Sequence, residues 1–158
     1  MNKKSCIFCD IINRKAEASI VYEDELVIAF HDAYPLNPGH TLVVPKMHAR
    51  NISELDQLTL WSMIRVAQEI SCVMPTASGI ECTGVNIFMA NGHSAGQEVM
   101  HAHMHVLPRT DGDGIRFSRS NPLKKMNREQ MNVHAKNISD ELKRNNSAAK
   151  MGHDNMPD

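Results

Sequence analysis

A basic excess is missing from this chain: 17 Lys and Arg stand against 18 Asp and Glu, for a formal net charge of −1 over 158 residues. A protein that grips a nucleic-acid backbone ordinarily shows a basic surplus or stripe, so nucleic acid is set aside and a small molecule is the expected partner. No run approaches the roughly 18 apolar residues of a membrane span, and MNKKSCIFC at the start lacks the apolar stretch of an export signal. No membrane partner is expected, and the expected location is cytoplasmic. Aromatic residues are scarce at 4 %, whereas there are 11 methionines, so the packing leans on aliphatic and thioether side chains. Cysteine occurs only at positions 6, 9, 72 and 82. Without export a disulfide framework is not expected, and a Cys-x-x-Cys pair reads as a metal site.

Apolar residues make up 42 %, enough for one core. Ser19–Tyr22 and Leu26–Phe30 are β-branched runs separated by Glu23-Asp24-Glu25, the pattern of a hairpin. Two prolines, an asparagine and a glycine make 31–39 a loop, and Thr41–Pro45 a third strand ended by its proline. Ser53, followed by Asp56 and Gln57, opens a periodic run (Leu55, Leu58, Leu60, Trp61, Ile64, Val66, Ile70) that predicts a helix over 53–74 with a core-facing stripe. Thr83–Met89 is a fourth strand, Asn91–Gln97 a glycine-bearing turn and Glu98–Pro108 a fifth strand. Asn127–Lys143 reads as an amphipathic helix, and the polar stretch from Arg144 as a disordered tail. The expectation is an α+β fold, an antiparallel sheet of about five strands with one long helix. Its core occupies 1–110, with a C-terminal extension over 111–143 and the tail over 144–158.

His101, His103 and His105 alternate with Ala102, Met104 and Val106. On a strand this spacing sets three imidazoles on one face. Buried without partners, their six ring nitrogens would cost several kcal/mol, so the face is functional, metallated or wet. Three histidines can hold a catalytic metal. Alternatively, an imidazole nitrogen is nucleophilic at neutral pH and forms a labile phosphoramidate. The turn Asn91-Gly92-His93-Ser94-Ala95-Gly96-Gln97, whose backbone N–H groups can point at an anion, favours the second reading.

Gly39-His40-Thr41-Leu42-Val43-Val44-Pro45-Lys46, together with the run from Ala95-Gly96-Gln97 through the three histidines to Pro108-Arg109, resembles the histidine triad (HIT) family. With Cys6-Ile7-Phe8-Cys9 in front and Phe30-His31-Asp32 after the hairpin, the likeness is nearest the Hint branch and covers about residues 5–110. The resemblance implies a nucleotide hydrolase acting on purine nucleoside phosphoramidates. His103 matches the nucleophile that attacks the α-phosphorus, His105 the residue assisting the leaving group, and His40 a support beneath them. Gln97 and the backbone around Glu98 and Val99 match the phosphate cradle, and Asp32 the ribose-binding carboxylate. Ile7, Phe8, Ile11, Phe30 and His31 match the walls of the base pocket. Two positions depart from the pattern: Ala90 replaces an amide, and Glu98 replaces a hydroxyl that would meet phosphate.

Some bacterial members of the family pair two N-terminal cysteines with two histidines, which implies a structural zinc on Cys6, Cys9, His48 and His101. The family also implies a homodimer. The alternatives are hydrolysis of dinucleoside polyphosphates, as in the related Fhit branch, and a nucleotide-binding regulator with weak catalysis. A metal-dependent oxygenase would want a carboxylate ligand and leaves the glycine turn unexplained. Cys72, Cys82, His93, His134 and His153 are assigned no role.

Overall fold

A computed structural model describes residues 6–116, 127–129, 132–134 and 136–139. Its elements run α1 (Ile7–Ile12), β1 (Ile20–Glu23), β2 (Val27–His31), β3 (Thr41–Pro45), α2 (Gln57–Val73), β4 (Gly84–Phe88) and β5 (Met104–Arg109), with short 3₁₀ turns at 52–54, 74–76 and 93–95. The five strands form one antiparallel sheet in the order β1-β2-β3-β5-β4. The contacts divide into two compact units at Ile115/Arg116. The segment expected to be helical over 127–143 is helical at 128–129, 132–134 and 136–139; its remaining positions and the expected tail lie outside the described residues.

Both faces of the central strands are buried, and alternation sorts them. Val27, Ala29, Val43, Met104 and Val106 pack against Met63, Val66, Ala67 and Ile70 of α2. On the opposite face Ile28, Phe30, Leu42 and Val44 meet Phe8 and Ile11 of α1. Sequence periodicity did not reveal α1, which is too short to hold itself as a helix. Its i, i+3 pair Phe8 and Ile11, laid on the sheet, was the available signal.

Two expectations need correction. Helix α2 starts at Gln57 rather than 53, because the Asp56 carboxylate takes the Thr59 N–H at 2.8 Å and becomes the N-cap. Ser53 instead sits in a 3₁₀ turn capped by Asn51. The apolar stripe is also not all core, since Leu58, Trp61 and Ile64 are 62 %, 59 % and 46 % exposed. The buried face runs through Thr59, Met63, Val66 and Ile70.

Candidate active site and metal centre

The fifth strand begins at Met104, so the histidines do not share one strand face as expected. Strand β3 pairs with β5 only from Thr41↔Val106 to Val43↔Met104. Beyond that β3 ends on Pro45, which has no N–H to donate. The Pro45 carbonyl accepts from His101 Nε2 at 2.9 Å, and the Ala102 N–H turns to the Ala49 carbonyl at 2.7 Å. His101 therefore faces one site while His103 and His105 face another.

His103 Nδ1 lies 2.7 Å from the His101 carbonyl oxygen, which can only accept, so Nδ1 carries the proton. Its Nε2 is left with a lone pair in a cleft of about 1550 Å³. His105 lies beside it, ring centroids 4.8 Å apart, stacked on Phe88 at 4.4 Å. Beneath them, the Leu36 N–H donates to His40 Nδ1 at 3.3 Å, so Nε2 of the neutral ring donates to His105 Nδ1 at 3.0 Å. That leaves His105 with a proton on Nε2, as a donor. Burial pushes His40, His103 and His105 all downward, His105 to about 4 with the help of its histidine neighbours; Asp32 Oδ2, 3.5 Å from His40, offsets part of the effect there. The imidazoles are thus neutral near pH 7, as a nucleophile requires.

Ile7, Phe8, Ile11, Phe30, His31, Asp32, His40, Glu98, Val99, His103 and His105 all line the cleft. Both nitrogens of His31 are held, Nδ1–H by the Asp32 carbonyl and Nε2 by the Gly39 N–H, so it serves as a wall. Gln97 is not among the lining residues. Its amide is 1 % exposed and holds the Gly92 N–H and the Arg50 and Val99 carbonyls, shaping the loop from inside. The turn uses left-handed Gly92 and Gly96, and the amides of Ala95, Gly96 and Gln97 close it internally. Among the described residues the Glu98 and Val99 amides donate no hydrogen bond, and both residues line the cleft.

The second site gathers Cys6 and Cys9 Sγ with His48 and His101 Nδ1, all within 4.8 Å of one another. Separations are 3.4 Å for Cys6–His101, 3.2 Å for Cys9–His48, 3.6 Å for Cys9–His101 and 3.2 Å for His48–His101. Asp32, His40 and His105 also cluster, but the His40 nitrogens are already committed as described.

Residues 13–112 match the family model described as the HIT domain. The chain belongs to the histidine triad family. An uncharacterised HIT-like protein of Borreliella burgdorferi is 44 % identical over 118 residues, 75 % of this chain and 85 % of that one. Adenylylsulfatase HINT3 of Arabidopsis thaliana is 31 % identical over 75 % of this chain and 59 % of its own length. A crystal structure of a zinc-bound histidine triad family protein from Mycobacterium smegmatis superposes with a TM-score of 0.68 at 37 % identity, covering 77 % of this chain and 86 % of that one.

The cysteine–histidine set of this histidine triad protein fits zinc. Bonds of about 2.0–2.1 Å to nitrogen and about 2.3 Å to sulfur place tetrahedral donors roughly 3.3–3.8 Å apart, close to the separations found. His101 Nε2–H is fixed by Pro45, so its Nδ1 lone pair faces the cluster, the outer-shell arrangement metal-binding histidines use. Without a cation, burial and neighbouring Cys6 push the Cys9 thiol up to about 11; a dication inverts that preference.

The buried imidazoles carry a stability cost in acid. His105 is lowered in the folded state, so the unfolded chain binds protons first and stability falls as pH drops from about 6.5 toward about 4. Between pH 7 and pH 5 the loss from His105 alone is about 2 kcal/mol. Urea unfolding of the wild type and of His105→Asn at the two pH values checks this, the variant showing the shallower dependence.

Proposed function

We propose that the protein is a nucleotidyl hydrolase acting at the α-phosphate of purine nucleoside 5′-phosphoramidates or related nucleotidyl conjugates. One observation carries the reading: the His101 carbonyl holds the proton of His103 on Nδ1, leaving the Nε2 lone pair on a cleft that also holds Asp32, His105 and the Glu98 and Val99 amides, which donate no hydrogen bond among the described residues. The base rests on Ile7, Phe8, Ile11, Phe30 and His31, the sugar hydroxyls on Asp32, and the phosphate on the Glu98 and Val99 amides. His103 Nε2 attacks phosphorus, an N–P bond forms, and the bond to the amine nitrogen breaks. The amine leaves with a proton drawn from solvent, its nitrogen hydrogen-bonded by the Nε2–H of His105. Water then attacks phosphorus and displaces His103, releasing the nucleoside monophosphate and returning the proton consumed. The relative named as an adenylylsulfatase supports an adenylyl group as the unit transferred.

The same reading gives Cys6, Cys9, His48 and His101 a structural zinc, since four protein donors leave no open position. It places the protein in the cytoplasm, supported by four cysteines free of disulfides; among the described residues no helix is long and apolar enough to cross a membrane. A homodimer is supported by exposed Leu58, Trp61 and Ile64 on α2 and by the place of β4 at the end of the sheet order. Trp61→Glu is expected to convert a dimer to a monomer in sedimentation velocity; an unchanged sedimentation coefficient removes α2 from the interface. The cleft exceeds the roughly 300–1,000 Å³ usual for a small ligand, which favours a second reading, hydrolysis of dinucleoside polyphosphates.

Incubation with adenosine 5′-phosphoramidate in ¹⁸O-water tests the leading reading. AMP bearing one solvent oxygen, with ammonia as co-product, is expected; no turnover of any adenylated amine in a panel rejects it.

A further inference from the structure

The cysteine–histidine cluster and the cleft share two pieces of chain. Helix α1 carries Cys9, and its N-cap is Cys6, whose side chain makes no capping bond. The same six residues supply Ile7, Phe8 and Ile11 to the cleft. A helix this short does not persist alone. Phe8 and Ile11 pin its inner face, but Ile7 is 47 % exposed, so the cysteines are what tie down the outer side and the start of the helix. At the other end, the His101 ring enters the metal cluster while its carbonyl takes the His103 proton at 2.7 Å. Residues 101–103 lie outside the strand ladder; the peptide that carries that carbonyl is held by the Ala102 N–H bond to the Ala49 carbonyl at 2.7 Å, and the residues flanking this bond, His101 and His48, are both in the metal cluster. Phe8 completes the circuit, with ring centroids 5.9 Å from His101 and 5.2 Å from His103.

We propose that the metal site is coupled to nucleotide binding: one cation on Cys6, Cys9, His48 and His101 fixes both the wall of the base pocket and the ring orientation of His103. His101 is then a positioning residue, acting through His103. The proposal rests on the functional reading above for its ligand, AMP. Coupling between two sites is reciprocal, so zinc tightens AMP binding by the factor with which AMP tightens zinc binding. An inert structural pin predicts a factor of one in both directions.

The test uses the full chain, zinc-loaded to one equivalent or stripped with a chelator, its fold monitored by circular dichroism. AMP affinity is measured by calorimetry, and zinc affinity by competition with a chromophoric chelator, with and without saturating AMP. Stripping is expected to weaken AMP binding at least tenfold, and saturating AMP to raise zinc affinity by the same factor. Deuterium uptake across 7–12 rises, and the ¹⁵N signals of His103 lose their single-tautomer pattern. If stripping unfolds the chain, His48→Ala, which keeps three donors and touches no cleft residue named above, is compared at limiting and saturating zinc. It should bind AMP as wild type only at saturation. Failure to bind zinc, or AMP affinity and α1 exchange that differ less than twofold between forms, overturns the proposal. A loaded protein that binds no AMP overturns the functional reading instead, and the exchange and ¹⁵N signals then decide the coupling by themselves.

Discussion

His103→Ala is expected to lower kcat by several orders of magnitude while AMP still binds within about tenfold of wild type. The asymmetry follows from geometry. The cleft retains Phe8, Ile11, Phe30, Asp32 and the Glu98 and Val99 amides when the imidazole is gone, so the ground-state contacts survive. What is lost is the Nε2 lone pair, and no other group replaces it: His105 presents a proton on Nε2, fixed by the chain from Leu36 through His40. Because His103 is 5 % exposed and packs on Phe8, truncation also leaves a void. His103→Asn fills more of it, and is expected to restore stability but not turnover. Single-turnover kinetics and calorimetry on both variants check the split; retention of most activity by either one places the nucleophile elsewhere.

Adenosine 5′-phosphoramidates are expected to be cleaved at least tenfold better, in kcat/KM, than diadenosine polyphosphates. Glu98 is exposed on the cleft wall, and its amide is one of the two proposed to meet the phosphate. A second phosphate beyond the α position brings additional negative charge toward that carboxylate, whereas an amine brings none. At about 4 Å such a pair opposes binding by a few kcal/mol at a near-surface dielectric; water around an exposed side chain reduces one pair to roughly 1 kcal/mol or less, and the several extra charges of a polyphosphate bring the sum to about tenfold. The cleft volume argues the other way, and the charge is the stronger discriminator because space left by a small leaving group can fill with water at little cost. Glu98→Ser should narrow the gap by improving polyphosphate cleavage selectively. Equal constants for the two classes, or a ratio unmoved by Glu98→Ser, would remove the electrostatic argument.

Much of this was legible in the chain itself. Thr41–Pro45 reads as a strand because its apolar run and terminal proline are local signals, and the structure gives the same bounds. The metal cluster and the cleft's histidines, Asp32 and α1 side chains were marked beforehand, since a resemblance over some hundred residues carries positions that propensity cannot; Phe88, stacked on His105, was not, because only the sheet register sets it there. The failures have physical causes. A period-2 pattern placed all three histidines on one strand, but alternation holds only where a ladder exists, and the β3–β5 ladder stops at Val43↔Met104. The helix start was misjudged because Ser53 and Asp56 both offer caps, and only the fold decides which carboxylate or hydroxyl meets a free N–H. Leu58, Trp61 and Ile64 show that apolar periodicity marks burial without saying whether the partner lies within the chain. Gln97 matched the phosphate cradle by position, yet its side chain points into the loop that builds the cradle, which no spacing reveals.

The covalent intermediate is the central claim, and rapid quenching tests it most directly. Enzyme mixed with an adenylated amine, quenched at alkaline pH within one turnover and digested for mass spectrometry, should carry one adenylyl group on the peptide holding His103. The adduct should be lost on brief acid treatment, as an N–P bond to imidazole requires, and should be absent from His103→Asn. Turnover to AMP with no adduct at any quench time, or an adduct on another residue, would contradict the account.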